Sequence, residues 1–240
     1  MKIALLGYGK MGKTIEKIAL EKGHQICAKI QKDNWEAFNK IDLKTIDVAI
    51  EFSQPEAAFD NISKCLALGI PVISGTTGWL DQKKEIEEYC QKMDGTFFYT
   101  SNYSIGVNIF FKINEMIAKL MDKFPDYRVQ MEEVHHIHKK DSPSGTAITL
   151  AEGIIANHGN IHSWIETDDV AKADKNQLPI KSIREEEVAG THTIQYMSGE
   201  DTIAIEHKAH SRKGFALGAV LVAEWIVNKK GVLSMKDFMD

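Results

Sequence analysis

Short apolar runs alternating with amphipathic stretches predict an α/β protein: an N-terminal doubly wound parallel sheet, then an α+β domain, with a last helix returning to the first. Three observations carry that reading. Apolar runs at 2–6, 25–30, 47–52, 70–74 and 96–99 are separated by stretches of helical period, the alternation that builds a parallel sheet with helices on both faces. A G-x-G-x-x-G pattern, from Gly7 to Gly12, stands directly between the first run and the first helical stretch. After Tyr103 the alternation stops, and one long helical stretch gives way to strands grouped together.

Length and composition bound the rest. With 240 residues, 43% hydrophobic and 26% charged, the chain has the make-up of a folded globular protein, so disorder is not expected. Its net charge of −5 is spread along the sequence, which argues against nucleic acid as a partner. Cys27, Cys65 and Cys90 form no C-x-x-C pair and sit in segments read as buried, as in a reduced cytoplasmic protein. The apolar start, Met1 to Gly7, is too short for a signal peptide. The most apolar helix, from about residue 106 to 124, carries Lys112, Glu115, Lys119 and Asp122 and does not suit a membrane span.

The first element, residues 2–6, is a buried strand. Gly7 then permits a tight turn, Gly9 lets backbone approach a pyrophosphate, and Gly12 allows close packing of helix on strand. Ile15, Ile18 and Ala19 recur at helical spacing, and Gly23 stops the helix. With a second strand at 25–30, this is the Rossmann-type context for a dinucleotide. An acid that grips the adenosine ribose is expected next. The sequence there is Gln31, Lys32 and Asp33: Lys32 suits a 2′-phosphate and Asp33 a ribose hydroxyl, so NADH and NADPH both remain. The run at 47–52 is a buried strand, and Ser53 to Glu56 reads as a capping box with proline in the first turn of a helix to about Leu68. A short strand leads to Gly75, Thr76, Thr77 and Gly78. A helix from about Leu80 to Lys92 buries Ile86, Tyr89 and Cys90. A strand at 96–99 ends in Thr100, Ser101, Asn102 and Tyr103. The loops at 7–12, 52–53, 75–77 and 100–103 therefore share the rim beyond the strand C-termini, where ligands of such sheets bind.

Residues 105–214 are expected to form the second domain, and 215–240 the helix that packs back on residues 1–104. A strand from Tyr127 to His135 enters the densest cluster of functional side chains: His135, His136, His138, Lys139 and Lys140. Extended geometry continued through it would set His136 and His138 on one side, and His135 and Lys139 on the other. Pro143 biases Ser142 away from helix. Ser144 then caps a helix from Gly145 to about Asn157, leaving the Gly145 and Thr146 N–H groups to face an anion. Residues 158–180 read as irregular. Segments 188–197 and 202–209 form a hairpin, in which His207 finishes an apolar face. Arg184 to Glu187 is read as an exposed loop. In the last helix Leu217, Val220, Leu221 and Trp225 share the buried face.

The whole chain resembles the 4-hydroxy-tetrahydrodipicolinate reductase (dihydrodipicolinate reductase) family. The run from His135 to Ala147 matches its H-H-x-x-K-x-D-x-P-S-G-T-A signature, supported by 75–78, 101–108 and 207–212. The resemblance implies NAD(P)H-dependent reduction of a small cyclic dicarboxylate in diaminopimelate and lysine biosynthesis. It implies His135 as catalytic acid/base and Lys139 as second proton donor, with His136, Gly145 and Thr146 holding substrate. Gly7, Tyr8, Gly9, Lys10, Met11, Gly12, Lys32, Gly75, Thr76, Thr77, Thr100, Ser101, Asn102 and Tyr103 would hold the cofactor, NADH and/or NADPH. The first glycine loop is one residue shorter than the family's, and Gln31 and Lys32 replace the usual acid, so cofactor preference stays open. A homotetramer or dimer is expected, with no nucleic acid and no membrane. A metal bound by His135, His136 and His138 is disfavoured, because no acid or cysteine has ligand spacing and alternation splits the three. A nucleotide-binding sensor without turnover and a reductase of another imine are the remaining alternatives.

Overall fold

The computed structural model describes residues 1–31, 45–211 and 213–240, so Lys32, Asp33 and Arg212 lie outside the described residues. The chain divides into two compact units, Met1–Ser104 with Lys213–Asp240, and Ile105–Arg212.

In the first unit, β1 (Lys2–Leu6), β2 (Gln25–Ile30), β3 (Val48–Glu51), β4 (Val72–Ser74), β5 (Thr96–Tyr99) and β11 (Gly231–Ser234) form one sheet in the order β11-β5-β4-β3-β1-β2. Every pairing in it is parallel. Helices cover both faces, which is why strand side chains are apolar on both. Ile3 and Leu5 face α1 (Lys10–Glu21) and the late helix α6 (Lys213–Ile226). Ala4 and Leu6 face α2 (Pro55–Ala67) and α3 (Lys83–Lys92). Gly23, in the left-handed conformation, ends the first helical segment as expected.

Three details depart from expectation. Ser53 does not cap α2: Gln54 is the N-cap residue, with no side-chain bond, and the Ser53 hydroxyl donates to Glu51 instead. The C-terminal segment is not one helix. After α6 the chain adds β11 beside β5 and ends in α7 (Met235–Met239), where Ser234 and Asp237 make a capping box. The buried face of α6 holds the expected Val220, with Trp225 packed partly against the core, but it turns toward small residues and leaves Leu217 out. Leu217 is 41% exposed, while Ala216, Gly218, Ala219, Val220, Val222, Ala223 and Ile226 are buried. Small residues win because the helix lies very close to the neighbouring chain, and a Cβ at Gly218 would overlap the Tyr103 carbonyl.

The second unit pairs β6 (Arg128–His135), β7 (Ser163–Glu166), β8 (Gln177–Arg184), β9 (Thr191–Met197) and β10 (Thr202–Lys208) in the order β10-β9-β6-β8-β7. β7 and the first half of β8 fall in the segment 158–180 expected to be irregular, and Arg184 ends a strand rather than starting an exposed loop. The sheet is mixed: β6 runs parallel to β8 and antiparallel to β9. Helices α4 (Ile105–Met121) and α5 (Gly145–Asn157) supply Phe110, Ala118, Leu150 and Ile154 to its core, against Val129, Met131, Ile180, Ile194 and Tyr196. The period of two along β6 continues this inward row past Val129 and Met131 to Glu133 and His135. The row that begins as core ends as ionisable groups.

Candidate active site

In the first unit the strand order reverses between β1 and β3, the topological switch point where such sheets bind ligands. A cavity of about 590 Å³ opens there, lined by Gly7, Tyr8, Gly9, Gln31, Phe52 and Ser53 among others. Gly7 has φ +98°, and a Cβ on it would collide with the Phe52 carbonyl. A Cβ on Gly12 would meet the Gly7 carbonyl, so helix and loop lie too close for any side chain there. Gly9, by contrast, faces open space within 4 Å, and the first turn of α1 carries no acid. Exposed backbone at a helix N-terminus without a competing carboxylate is what a pyrophosphate requires. The described residues therefore fit a dinucleotide.

Glu51, fully buried at the end of β3, organises this rim. It accepts from the Ser53 N–H at 3.0 Å, the Ser74 hydroxyl at 2.6 Å and the Thr76 hydroxyl at 2.9 Å, and also from the Ser53 hydroxyl. Four donors compensate its burial and tie the loops after β3 and β4 together. Thr76 is thus a buried structural partner; exposed Thr77 stands beside it on the rim. Tyr103 is likewise no side-chain contact for a ligand. It is 1% exposed, donates to the Ser74 carbonyl at 2.8 Å and packs on Phe52 and Phe98. Lys10 and Ser101 are exposed, Thr100 and Asn102 half-buried, and Met11 packs partly against the core. Tyr8 is held by its hydroxyl bond to Glu16 and by Lys29 over its ring at 4.8 Å.

In the second unit β6 ends at His135, and a turn follows in which the Lys139 N–H donates to the His136 carbonyl at 3.1 Å. Strand alternation therefore does not run through the histidine cluster as expected. Cross-strand register, not sequence adjacency, assembles the site: Glu133 sits opposite His192 on β9, and His135 opposite Arg184 on β8. The buried Glu133 carboxylate accepts from the Ser144 N–H at 3.1 Å and from Arg184 at 3.2 Å through Oε1. Its Oε2 lies 3.2 Å from His135 Nδ1 and 3.7 Å from His192 Nε2, in ion-pair range without hydrogen-bond alignment. Burial pushes the Glu133 carboxyl up, but the close His135 imidazole and the Ser144 donor outweigh it and hold it down at about 2. Burial, reinforced by the charge of His135, pushes His192 down to about 4, so its ring is neutral at neutral pH.

Ser144 caps α5 through the Ala147 N–H at 3.2 Å, and its hydroxyl lies 3.1 Å from His192 Nε2. Gly145 stands exposed at the helix start, open space before it, with Thr146 half-buried beside it. Lys139 donates to both oxygens of Asp141, at 2.8 and 2.7 Å. That ammonium, together with the Gly145 N–H, holds the Asp141 carboxyl below the usual carboxylate range. His136 has a buried Nδ1 with no hydrogen-bond partner among the described residues. Sequence reading missed Glu133, Arg184, His192 and Gly190 as site residues. A Cβ on Gly190, whose φ is +148°, would stand 3.0 Å from His135 Nε2.

The ligand-type atoms of Glu133, His135 and His192 lie within 4.8 Å of one another, a spacing a metal ion also accepts. This is not the His135, His136, His138 set adjacent in sequence. The Arg184 guanidinium on the same carboxylate opposes a second cation there.

A family model described as the dihydrodipicolinate reductase N-terminus matches residues 1–103, and one for the C-terminus matches residues 106–239. The 4-hydroxy-tetrahydrodipicolinate reductase of Christiangramia forsetii is 49% identical over 239 residues, covering 100% of this chain and 98% of that protein. The protein of that name from Archaeoglobus fulgidus is 34% identical over 262 residues, covering 100% of both. Among solved structures, the dipicolinate-bound dihydrodipicolinate reductase of Paenisporosarcina sp. TG-14 shares the fold, with a TM-score of 0.78 at 18% identity over 98% of this chain and 97% of that one. With both halves of its length matched by family models, and a relative at 49% identity along all of it, the chain belongs to the dihydrodipicolinate reductase family.

Proposed function

We propose that the chain reduces 4-hydroxy-tetrahydrodipicolinate to tetrahydrodipicolinate at the expense of NADH or NADPH, a step of diaminopimelate and lysine biosynthesis. Residues 1–104 with 213–240 bind the nucleotide, and residues 105–212 bind the substrate. The observation that carries the substrate assignment is Asp141: Lys139 and the start of α5 already hold a carboxylate. A substrate carboxylate displaces it, taking up the Lys139 ammonium and the Gly145 and Thr146 N–H groups. His136 offers its unpartnered Nδ1 to the same ligand.

The 4-hydroxyl group leaves as water to give a conjugated imine, and the nicotinamide, when bound, would supply the hydride that reduces it. The ring then needs a proton, and His135 supplies it, a role worth about 10²- to 10⁴-fold in rate. Lys139 offsets the negative charge that builds up on the ring. Gly7, Gly9, Lys10 and Gly12 hold the pyrophosphate, and Gly75, Thr77, Thr100, Ser101 and Asn102 complete the rim. Lys32 remains assigned to the ribose end, and only a kinetic comparison of the two nucleotides ranks them.

Residues 105–212 also carry self-association into a homotetramer or dimer. Ile109, Ile113, Met116 (72% exposed) and Leu120 form an exposed apolar stripe along α4, larger than isolated surface residues account for. Light scattering of the purified chain tests it, and a monomer at micromolar concentration overturns it. We place the enzyme in the cytoplasm: its cysteines are free, and no described helix is long and apolar enough to cross a membrane. The functional test is oxidation of NADH and of NADPH followed at freshly generated substrate. Substrate-dependent oxidation of one or both is expected; nucleotide binding with no turnover refutes the assignment.

A further inference from the structure

We infer that Glu133 is the positioning residue for His135, fixing the ring with Nδ1 toward its own carboxylate and Nε2 toward the space left by Gly190, and locking the acid to the anion-holding start of α5. The inference rests on the reading of His135 as the acid and goes beyond it.

The geometry divides the carboxylate between two tasks. Oε1 is committed to structure: it takes the Ser144 N–H and Arg184, while the same guanidinium donates to the Asp141 carbonyl at 2.8 Å. One oxygen thereby ties together the end of β6, the end of β8, the loop that carries Lys139, and the cap of α5. Oε2 is left to the imidazoles, 3.2 Å from His135 Nδ1 and 3.7 Å from His192 Nε2. The two rings meet edge to face at 5.1 Å, too close for both to be charged at little cost. His192 is the one kept neutral, because Ser144 already uses its oxygen to accept the Ala147 N–H and its hydroxyl proton can go to His192 Nε2. The Oε2 atom is then left facing Nδ1 of His135. Gly190 completes the device: a side chain there would crowd Nε2, the nitrogen that must reach substrate.

The charged and titratable groups around His135 are Glu133 on β6, Arg184 on β8, His192 on β9, and Lys139 and Asp141 in the loop after β6; His207 on β10 lies opposite His192. Of these only Glu133 places an anionic oxygen beside Nδ1. Removing that charge while keeping the Oε1 acceptor that ties Ser144 and Arg184 should therefore act on the ring rather than on substrate binding.

The test is Glu133→Gln in the full-length enzyme, which keeps the shape and removes the charge. Expected are a fall in kcat of about 10²-fold near neutrality, little change in KM, and displacement of the upper limb of the kcat profile to lower pH. Glu133→Asp should restore part of kcat and return the limb toward its wild-type position. An equal loss at every pH with the limb unmoved overturns the inference, as does a wild-type profile. Should Glu133→Gln fail to fold, the wild-type enzyme still decides. Carbon-13 and nitrogen-15 shifts of labelled His135 must report the proton on Nδ1 in the neutral ring, and a proton on Nε2 overturns the assignment. Full turnover by His135→Ala would instead sink the acid reading itself. An inactive His135→Ala with an undisplaced Glu133→Gln profile sinks only the positioning role.

Discussion

Acidification should destabilise the second unit through His192 well before the Glu133 carboxylate is protonated. The ring is buried between β6 and β10, with Ser144 on one nitrogen, and its pKa falls from 6.5 to about 4. A base depressed in the folded state leaves the unfolded chain holding the extra proton between those two values. Stability is therefore unaffected above about pH 6.5, falls as pH drops toward 4, and levels off below. The gap corresponds to about 3 kcal/mol in full, of which about 2 kcal/mol is lost between about pH 7 and about pH 5. Glu133 contributes with the opposite ionisation but a lower window. Its folded value of about 2 against 4.5 means its stabilisation fades only as pH falls below 4.5 toward 2. The assay is urea denaturation of wild type and His192→Gln at both pH values; the amide keeps a partner for Ser144 and does not titrate. Wild type should lose about 2 kcal/mol more than the variant over that interval. His207, also depressed by burial, leaves a residual slope common to both proteins. Equal losses in the two proteins would refute the argument that His192 is held neutral.

Other perturbations have equally definite outcomes. Gly218→Ala forces a methyl group into the Tyr103 carbonyl and should destabilise the first unit by about 3 kcal/mol, read as a lowered Tm; an unchanged Tm would show that α6 can move outward. Glu51→Ala strands the buried Ser74 and Thr76 hydroxyls, at about 1–3 kcal/mol each, and should weaken nicotinamide nucleotide binding in a fluorescence titration. Wild-type nucleotide affinity in that variant would mean the rim does not depend on this carboxylate. Asp141→Asn removes the anion that competes for Lys139. Since exposed ion pairs contribute at most about 1 kcal/mol, KM for the substrate should fall by up to about fivefold; a raised KM would contradict displacement.

What could be read in advance was local. The first strand, the three glycines and the first helix adjoin in sequence, and each glycine's duty follows from chain geometry within a few residues. Ser144 capping α5 is likewise a three-residue signal. What could not be read depends on register. Glu133 meets His192 only because β6 and β9 pair antiparallel with those residues opposite, and it meets Arg184 only because β8 lies on the other side of β6. Residues 177–180 read as irregular, with Gln177 and Pro179 among them, and become strand because β6 offers a parallel partner, Met131 opposite Ile180. Extended geometry was expected through His138, but the chain turns at His136 once no neighbouring strand remains to pair. Leu217 and Tyr103 fail in the same way. A helix seated close on its sheet selects glycine and alanine over leucine, and a rim position can point its side chain inward.

On the proposed reading, a substrate held in the second unit is protonated by His135 after reduction. The most direct measurement is the rate of NADH and NADPH oxidation by wild type and by His135→Ala at saturating, freshly generated 4-hydroxy-tetrahydrodipicolinate, with nucleotide binding measured on both proteins. Substrate-dependent oxidation by wild type, a loss in kcat of about 10²-fold or more in the variant, and equal nucleotide affinity are predicted. Near-wild-type kcat in His135→Ala, or a wild-type enzyme that binds nucleotide and leaves this substrate untouched, would contradict it.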